Sequence, residues 1–295
     1  MNRFFAIVIV ACSLGVSRAD DAKYPRAELL IEPAELAKPL AKGIIILDAR
    51  AVAKYKAGHI PDARWVDHGQ WAKAFGHGTD AEGWGERIGK LGINADSHVV
   101  VYDDNSTKDS ARIWWILRYW GVDNVRLLNG GWIGWEAGKH ATTTDEPTAI
   151  TIEYKPKSRT DRLTTKDQLL ESLTTKGGTL QIVDARSEKE FCGDEKMNNK
   201  RAGAIPGAKQ LEWSDLLDKP TQRFKSAAQL KSLFADAGIA LDKPSAAHCQ
   251  SGGRASVMVF AMELMGAKSV GNYYQSWTEW GNADDTPIVP GKPKK

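Results

Sequence analysis

The chain has 295 residues, 42% hydrophobic and 26% charged, which excludes a disordered protein and suits one large or two medium domains. Its formal charge is +3, falling to about +1 if Arg3 and Arg18 leave with the leader described below, too little for a nucleic-acid-binding or membrane-surface protein. Small molecules are the expected partners, with no nucleic acid and no membrane.

Met1-Asn2-Arg3 makes a short basic start, Phe4 to Val16 an apolar run, and Ser17-Arg18-Ala19 a small-x-small pattern before Asp20-Asp21. Residues 1–19 read as a secretory signal peptide, because the apolar run is well short of the roughly 20 residues that span a bilayer as a helix. Lipidation at Cys12 is a second reading, disfavoured because Leu14-Gly15-Val16 prolong the run beyond it. A periplasmic or secreted protein is expected. Cleavage leaves Cys192 and Cys249, which form neither a disulfide framework nor a C-x-x-C zinc or redox motif.

Residues 24–141 read as a first domain. Pro33 to Gly43 is helical in pattern, "IIILDAR" at 44–50 is a β-branched strand ending in Asp-Ala-Arg, and "GHIPDA" follows at 58–63. His68, His77 and Asp80 lie in a polar stretch whose spacing matches no compact metal motif, so no metal is called for. A second strand, "HVVVYDD", leads into a helix, "SARIWWILRYWG", and a short third strand near Val125 precedes "NGGW". Residues 142–162, rich in Thr, Lys, Asp and Pro, read as a linker.

Residues 163–290 then repeat the order. "TKDQLLESLTTKGG" answers the first helix, "LQIVDAR" at 180–186 the first strand, "GAIPGA" at 203–208 the "GHIPDA" segment, and "GAKSVGNYYQSWTEW" at 266–280 the stretch "GVDNVRLLNGGWIGW" at 121–135. Trp277 falls over Trp132 and Trp280 over Trp135. So long a period means two copies of one domain, because solenoids repeat at much shorter spacing. Strands alternating with helices give an α/β fold in each copy, a parallel sheet with helices on both faces.

Ligands of such sheets bind beyond the carboxyl ends of the strands. There the second copy carries "HCQSGGRAS" at 248–256, with the strand ending at His248, a turn over Gln250 to Gly253 and a helix from Arg254. A glycine-rich turn aims successive N–H groups inward and the helix adds its positive end, so the loop is an anion cradle around a thiol that readily ionises. The bland alternatives are a buried inert cysteine and a half-cystine. Four residues separate Cys249 from Arg254, one fewer than in the His-Cys-x5-Arg phosphatase pattern. The tighter cradle disfavours a tetrahedral phosphate and admits a single sulfur, the outer atom of a cysteine persulfide.

With the paired "DAR" strands, "GHIPDA", "GAIPGA", "NGGW" and this loop, the chain resembles the tandem-domain rhodanese sulfurtransferases, which include thiosulfate:cyanide and 3-mercaptopyruvate sulfurtransferases. The resemblance implies a non-catalytic first domain, in which Asp103 stands opposite Cys249, and a catalytic second one. It implies no cofactor, a monomer, and a small-molecule sulfur donor with a thiophilic acceptor. Cys249 would be the nucleophile, with the backbone of Gln250, Ser251, Gly252, Gly253 and Arg254 cradling its persulfide.

Arg186 matches the family arginine that binds the anionic donor; an ion pair with Asp184 or Glu190 is the other reading. Ser251 and His59 match positions of the mercaptopyruvate branch, although His59 also reads as a structural histidine. Arg254 departs from the two-domain pattern, and either favours thiosulfate or pairs with a carboxylate. His248 is an auxiliary to the thiolate if its ring faces the loop. Cys192 reads as a bystander, or as a regulatory partner of Cys249.

Overall fold

A computed structural model describes residues 23–38, 43–148, 150–175 and 180–291. The leader read at 1–19, Cys12 included, lies outside them. In the first domain β1 (Leu30–Ile31), β2 (Ile44–Asp48), β3 (Arg64–Trp65), β4 (His98–Tyr102) and β5 (Val125–Leu128) form one sheet in the order β1-β5-β4-β2-β3. All its pairs are parallel, with Ile44 opposite His98 and Asp48 opposite Tyr102. The second domain repeats it with β6 (Gln181–Asp184), β7 (Lys209–Gln210), β8 (Ser245–His248) and β9 (Val270–Asn272), ordered β7-β6-β8-β9 and again parallel. Leu163 bridges Asn272 where β1 pairs with β5 in the first copy. The central strands β2, β4 and β6 carry β-branched apolar runs, while β8 is Ser-Ala-Ala-His, and all four are buried on both faces because helices cover them, so alternation is lost.

The helical pattern at Pro33 forms only a single turn, Pro33–Leu36, whereas its counterpart runs Lys166–Thr174 with a capping box from Thr165 and Gln168. A proline at 39 withholds the amide hydrogen that a longer first helix needs. The helices after the second strands, Lys108–Tyr119 and Gly253–Leu264, are buried nearly throughout and pack on each other. Each meets its own sheet on one side and the opposite domain on the other, which is why both are buried on nearly every face. Trp114 sits edge-on to Phe260 at 4.9 Å in this contact.

One hydrophobic core therefore crosses the boundary between the copies. At its margin the buried Glu263 carboxylate takes Arg118 at 3.0 Å, Arg162 at 2.6 Å and Arg26 at 3.3 Å, tying first domain, connecting segment and N-terminal arm to the second domain. The connecting segment itself lies along the first domain. Thr143 pairs with His59, Ile152 N–H donates to Gly89 O, and the Tyr154 phenol donates to Trp120 O at 2.7 Å.

Candidate active site

Each Asp-Ala-Arg strand end builds the same strut. Arg50 binds both oxygens of Asp48, donates to Gly58 O at 2.7 Å and lies 3.7 Å from the Trp132 ring centre. Arg186 binds both oxygens of Asp184, donates to Gly203 O at 2.7 Å and lies 4.1 Å from that of Trp277. Arg186 is 1% exposed. Its charge is matched by Asp184 and it is closed off from solvent, so the ion pair, the other reading of this arginine, holds in place of the donor-binding role implied by the resemblance. The copy in a domain without a thiol gives the physical reason: the pair anchors the strand end to the following segment.

What differs between the copies is the residue after β4 and β8. In the first domain Asp103 is buried, and its carboxylate accepts N–H bonds from Asn105 and Thr107 on one oxygen, at 3.0 Å each, and from Asp109 and Ser110 on the other, at 2.8 and 2.7 Å. Burial pushes this carboxyl up and the amide bonds oppose the rise. The loop thus gathers four amide donors on an internal anion. In the second domain Cys249 holds that place, 1% exposed.

The backbone is shaped alike, since Thr107 (φ 65°) and Gly252 (φ 83°) each hold a left-handed turn just before the helix. No acceptor among the described residues takes the amide hydrogens of 250–255, and the helical ladder opens with Ser256 N–H on Gly252 O. Those amides are left free to meet an anion at the Cys249 sulfur, as the Asp103 carboxylate is met in the first domain. At Gly252 a Cβ would also come within 2.8 Å of Tyr274, so the glycine is needed twice over.

The segment after β9 supports the loop from behind. Trp277 N–H donates to Cys249 O, as Trp132 N–H does to Asp103 O. Ser276 accepts from Cys249 N–H at 3.0 Å, and its hydroxyl lies 4.0 Å from the Cys249 sulfur. Ser276 has φ 55°, a left-handed conformation that the matching Gly131 adopts at φ 52° without a Cβ. The second domain thus keeps a strained serine where glycine would be easier, and what it gains is a hydroxyl beside the thiol. Sequence reasoning missed Ser276, although setting "NGGW" at 129–132 against "YQSW" at 274–277 marks the change.

The remaining residues sort by geometry. Arg254 forms a two-pronged pair with Glu190 at 2.6 and 2.8 Å, and this pair with the Arg254 hydrogen bonds holds the Glu190 carboxyl below its ordinary range despite burial. Ser251 is exposed, and the Gln250 amide is exchanged with that of Asn199 at 3.1 Å, so Gln250 and Ser251 offer the loop backbone more than their side chains. The His248 ring is fully buried, with Nε2 3.4 Å from Asp184, and burial lowers its pKa to about 4.

It faces the Asp184 strut and not the thiol, because consecutive strand residues point to opposite faces; it occupies the position of Tyr102. His59 is also misplaced as an auxiliary. It is buried in the first domain, stacked on Tyr55 at 4.0 Å, with its nitrogens 2.9 Å from Tyr55 O and 3.2 Å from Asp145 O. Cys192 ends the helix Glu188–Cys192, and both it and Cys249 are free thiols.

The rhodanese-like domain model matches the chain twice, over residues 32–138 and 165–283. A thiosulfate sulfurtransferase of Corynebacterium glutamicum is 36% identical over 256 residues, covering 82% of this chain and 83% of its own. The sulfur carrier protein TtuD of Thermus thermophilus is 33% identical over 250 residues, 81% of this chain and 87% of its own. The crystal structure of SseA from Escherichia coli, a 3-mercaptopyruvate sulfotransferase with a rhodanese fold, superposes with a TM-score of 0.73 at 28% identity, covering 85% of this chain and 99% of that one. Two matched domains, a duplicated strut and a lone thiol in an anion cradle agree: the chain belongs to the rhodanese family.

Proposed function

We propose that the protein is a sulfurtransferase that moves a sulfane sulfur from thiosulfate to cyanide or another thiophile through a persulfide on Cys249. The observation that carries this is the pair of loops, in which amides that close on the Asp103 carboxylate in one domain stand open around a cysteine in the other. The Cys249 thiolate attacks the outer sulfur of thiosulfate, the S–S bond of the donor breaks and sulfite leaves with its electron pair. The persulfide carries one negative charge, which the free amides of residues 250–255 neutralise without reorganisation. Cyanide then attacks the outer sulfur, thiocyanate departs, and the thiolate is restored.

Thiosulfate is favoured over 3-mercaptopyruvate because the relative from Corynebacterium glutamicum is a thiosulfate sulfurtransferase. Turnover of thiosulfate and cyanide to sulfite and thiocyanate tests the reading. Loss of that turnover in Cys249→Ser is expected; equal turnover with Ser at 249 overturns it. A non-enzymatic sulfur carrier is the second reading, favoured by the likeness to TtuD, and predicts a loaded Cys249 without steady turnover.

A further inference from the structure

Thiosulfate carries two negative charges, and the cations nearest the thiol are mostly spent. Arg186 is neutralised by Asp184, Arg254 by Glu190, and His248 is buried in its neutral form. One arginine differs, and it comes from the other domain. Arg112, on the first-domain helix Lys108–Tyr119, donates to Ser251 O at 3.0 Å and lies 5.6 Å from the Tyr274 ring centre. It is half-buried, and no carboxylate among the described residues pairs with it.

The loop is cut to receive this side chain. A Cβ at Gly253 would stand 2.3 Å from the Arg112 guanidinium, so the second glycine of "SGGR" leaves room for an arginine of the first domain. Tyr274, under the same guanidinium, packs against Gly252 of the same loop. Arg112 therefore stands at the loop that holds the thiol, planar, half open to solvent and with unmatched charge, as recognition of a sulfonate-like oxyanion requires.

We infer that Arg112 is the donor-binding residue: the thiol-less first domain supplies the cation that holds the sulfonate oxygens of thiosulfate while Cys249 attacks the outer sulfur. This rests on the sulfurtransferase reading. Steady-state kinetics of Arg112→Gln and Arg112→Lys with thiosulfate, and with the singly charged donor 3-mercaptopyruvate, test it. The expected result is a rise of about tenfold or more in KM for thiosulfate in Arg112→Gln, with a smaller change in kcat, near-recovery in Arg112→Lys, and a gap between variant and wild type that narrows at high salt.

A KM within about twofold of wild type overturns the inference. So does an equal loss for both donors that lysine does not rescue, which would mark Arg112 as a structural prop only. If the wild type takes no sulfur from thiosulfate, the enzymatic reading fails first, and anion binding is then read separately by sulfate protection of Cys249 against iodoacetamide. Protection that is lost in Arg112→Gln keeps the anion site; equal protection in both proteins removes it.

Discussion

At the scale of single residues, the two halves serve as controls for each other. Arg50 and Arg186 share every partner type although only one half holds a thiol, so the Asp-Arg strut belongs to stability. Breaking one buried partner leaves an uncompensated charge, and Arg186→Gln is expected to cost about 3–5 kcal/mol in denaturant unfolding. Its KM for thiosulfate, measured where the variant is folded, should stay near wild type; a selective rise in KM would return Arg186 to the site.

His248 makes the same region sensitive to acid. The unfolded chain takes a proton near pH 6.5, while the native ring refuses it until about pH 4, so stability falls as pH drops through that window. Roughly 1.4 kcal/mol per pH unit is at stake. Asp184, whose pKa His248 and Arg186 lower against the pull of burial, adds to the loss on the acid side. Unfolding curves at pH 7 and pH 5 should differ markedly in the wild type and less in His248→Gln. Equal slopes in the two proteins would contradict this account.

At the scale of elements, much was legible in the sequence. The repeated strands show because β-branched runs ending in "DAR" have few alternatives, and the loop shows because glycines between a strand and a helix signal close backbone approach. Contacts between residues distant in the chain were not legible. Nothing local says that Glu190 reaches Arg254, that Ser276 lies under Cys249, or that His248 turns to Asp184.

Two signals were present nonetheless: an arginine retained in the half without a cysteine, and an aspartate standing in the place of a thiol. Ser276 gives the element-scale prediction. Ser276→Ala keeps the left-handed strain and loses the hydroxyl, so it should be less stable by about 1–2 kcal/mol and slower in turnover, whereas Ser276→Gly should recover the stability but not the rate. Recovery of both in the glycine variant would leave the hydroxyl without a role.

At the scale of the whole molecule, the first domain does more than stabilise its duplicate. Its helix packs against the helix that follows the cysteine loop, three arginines from outside the second domain meet on Glu263, and the segment between the copies is hydrogen-bonded to the first domain. Glu263→Gln would leave Arg118 and Arg162 buried without a counter-charge and should destabilise both domains together by about 3–5 kcal/mol, seen as one cooperative transition at lower denaturant. Separate transitions would show that the copies unfold independently. The leader read at residues 1–19 is proposed to be removed, and sequencing of the exported protein should then begin at Asp20.

The open amides around residue 249 are there, on this reading, to hold a persulfide. Mass spectrometry of the protein after brief exposure to thiosulfate, with cyanide withheld, reads this directly. One added sulfur atom on the peptide containing Cys249, released on adding cyanide, is the expected result. An unmodified Cys249 alongside undiminished thiosulfate would contradict it.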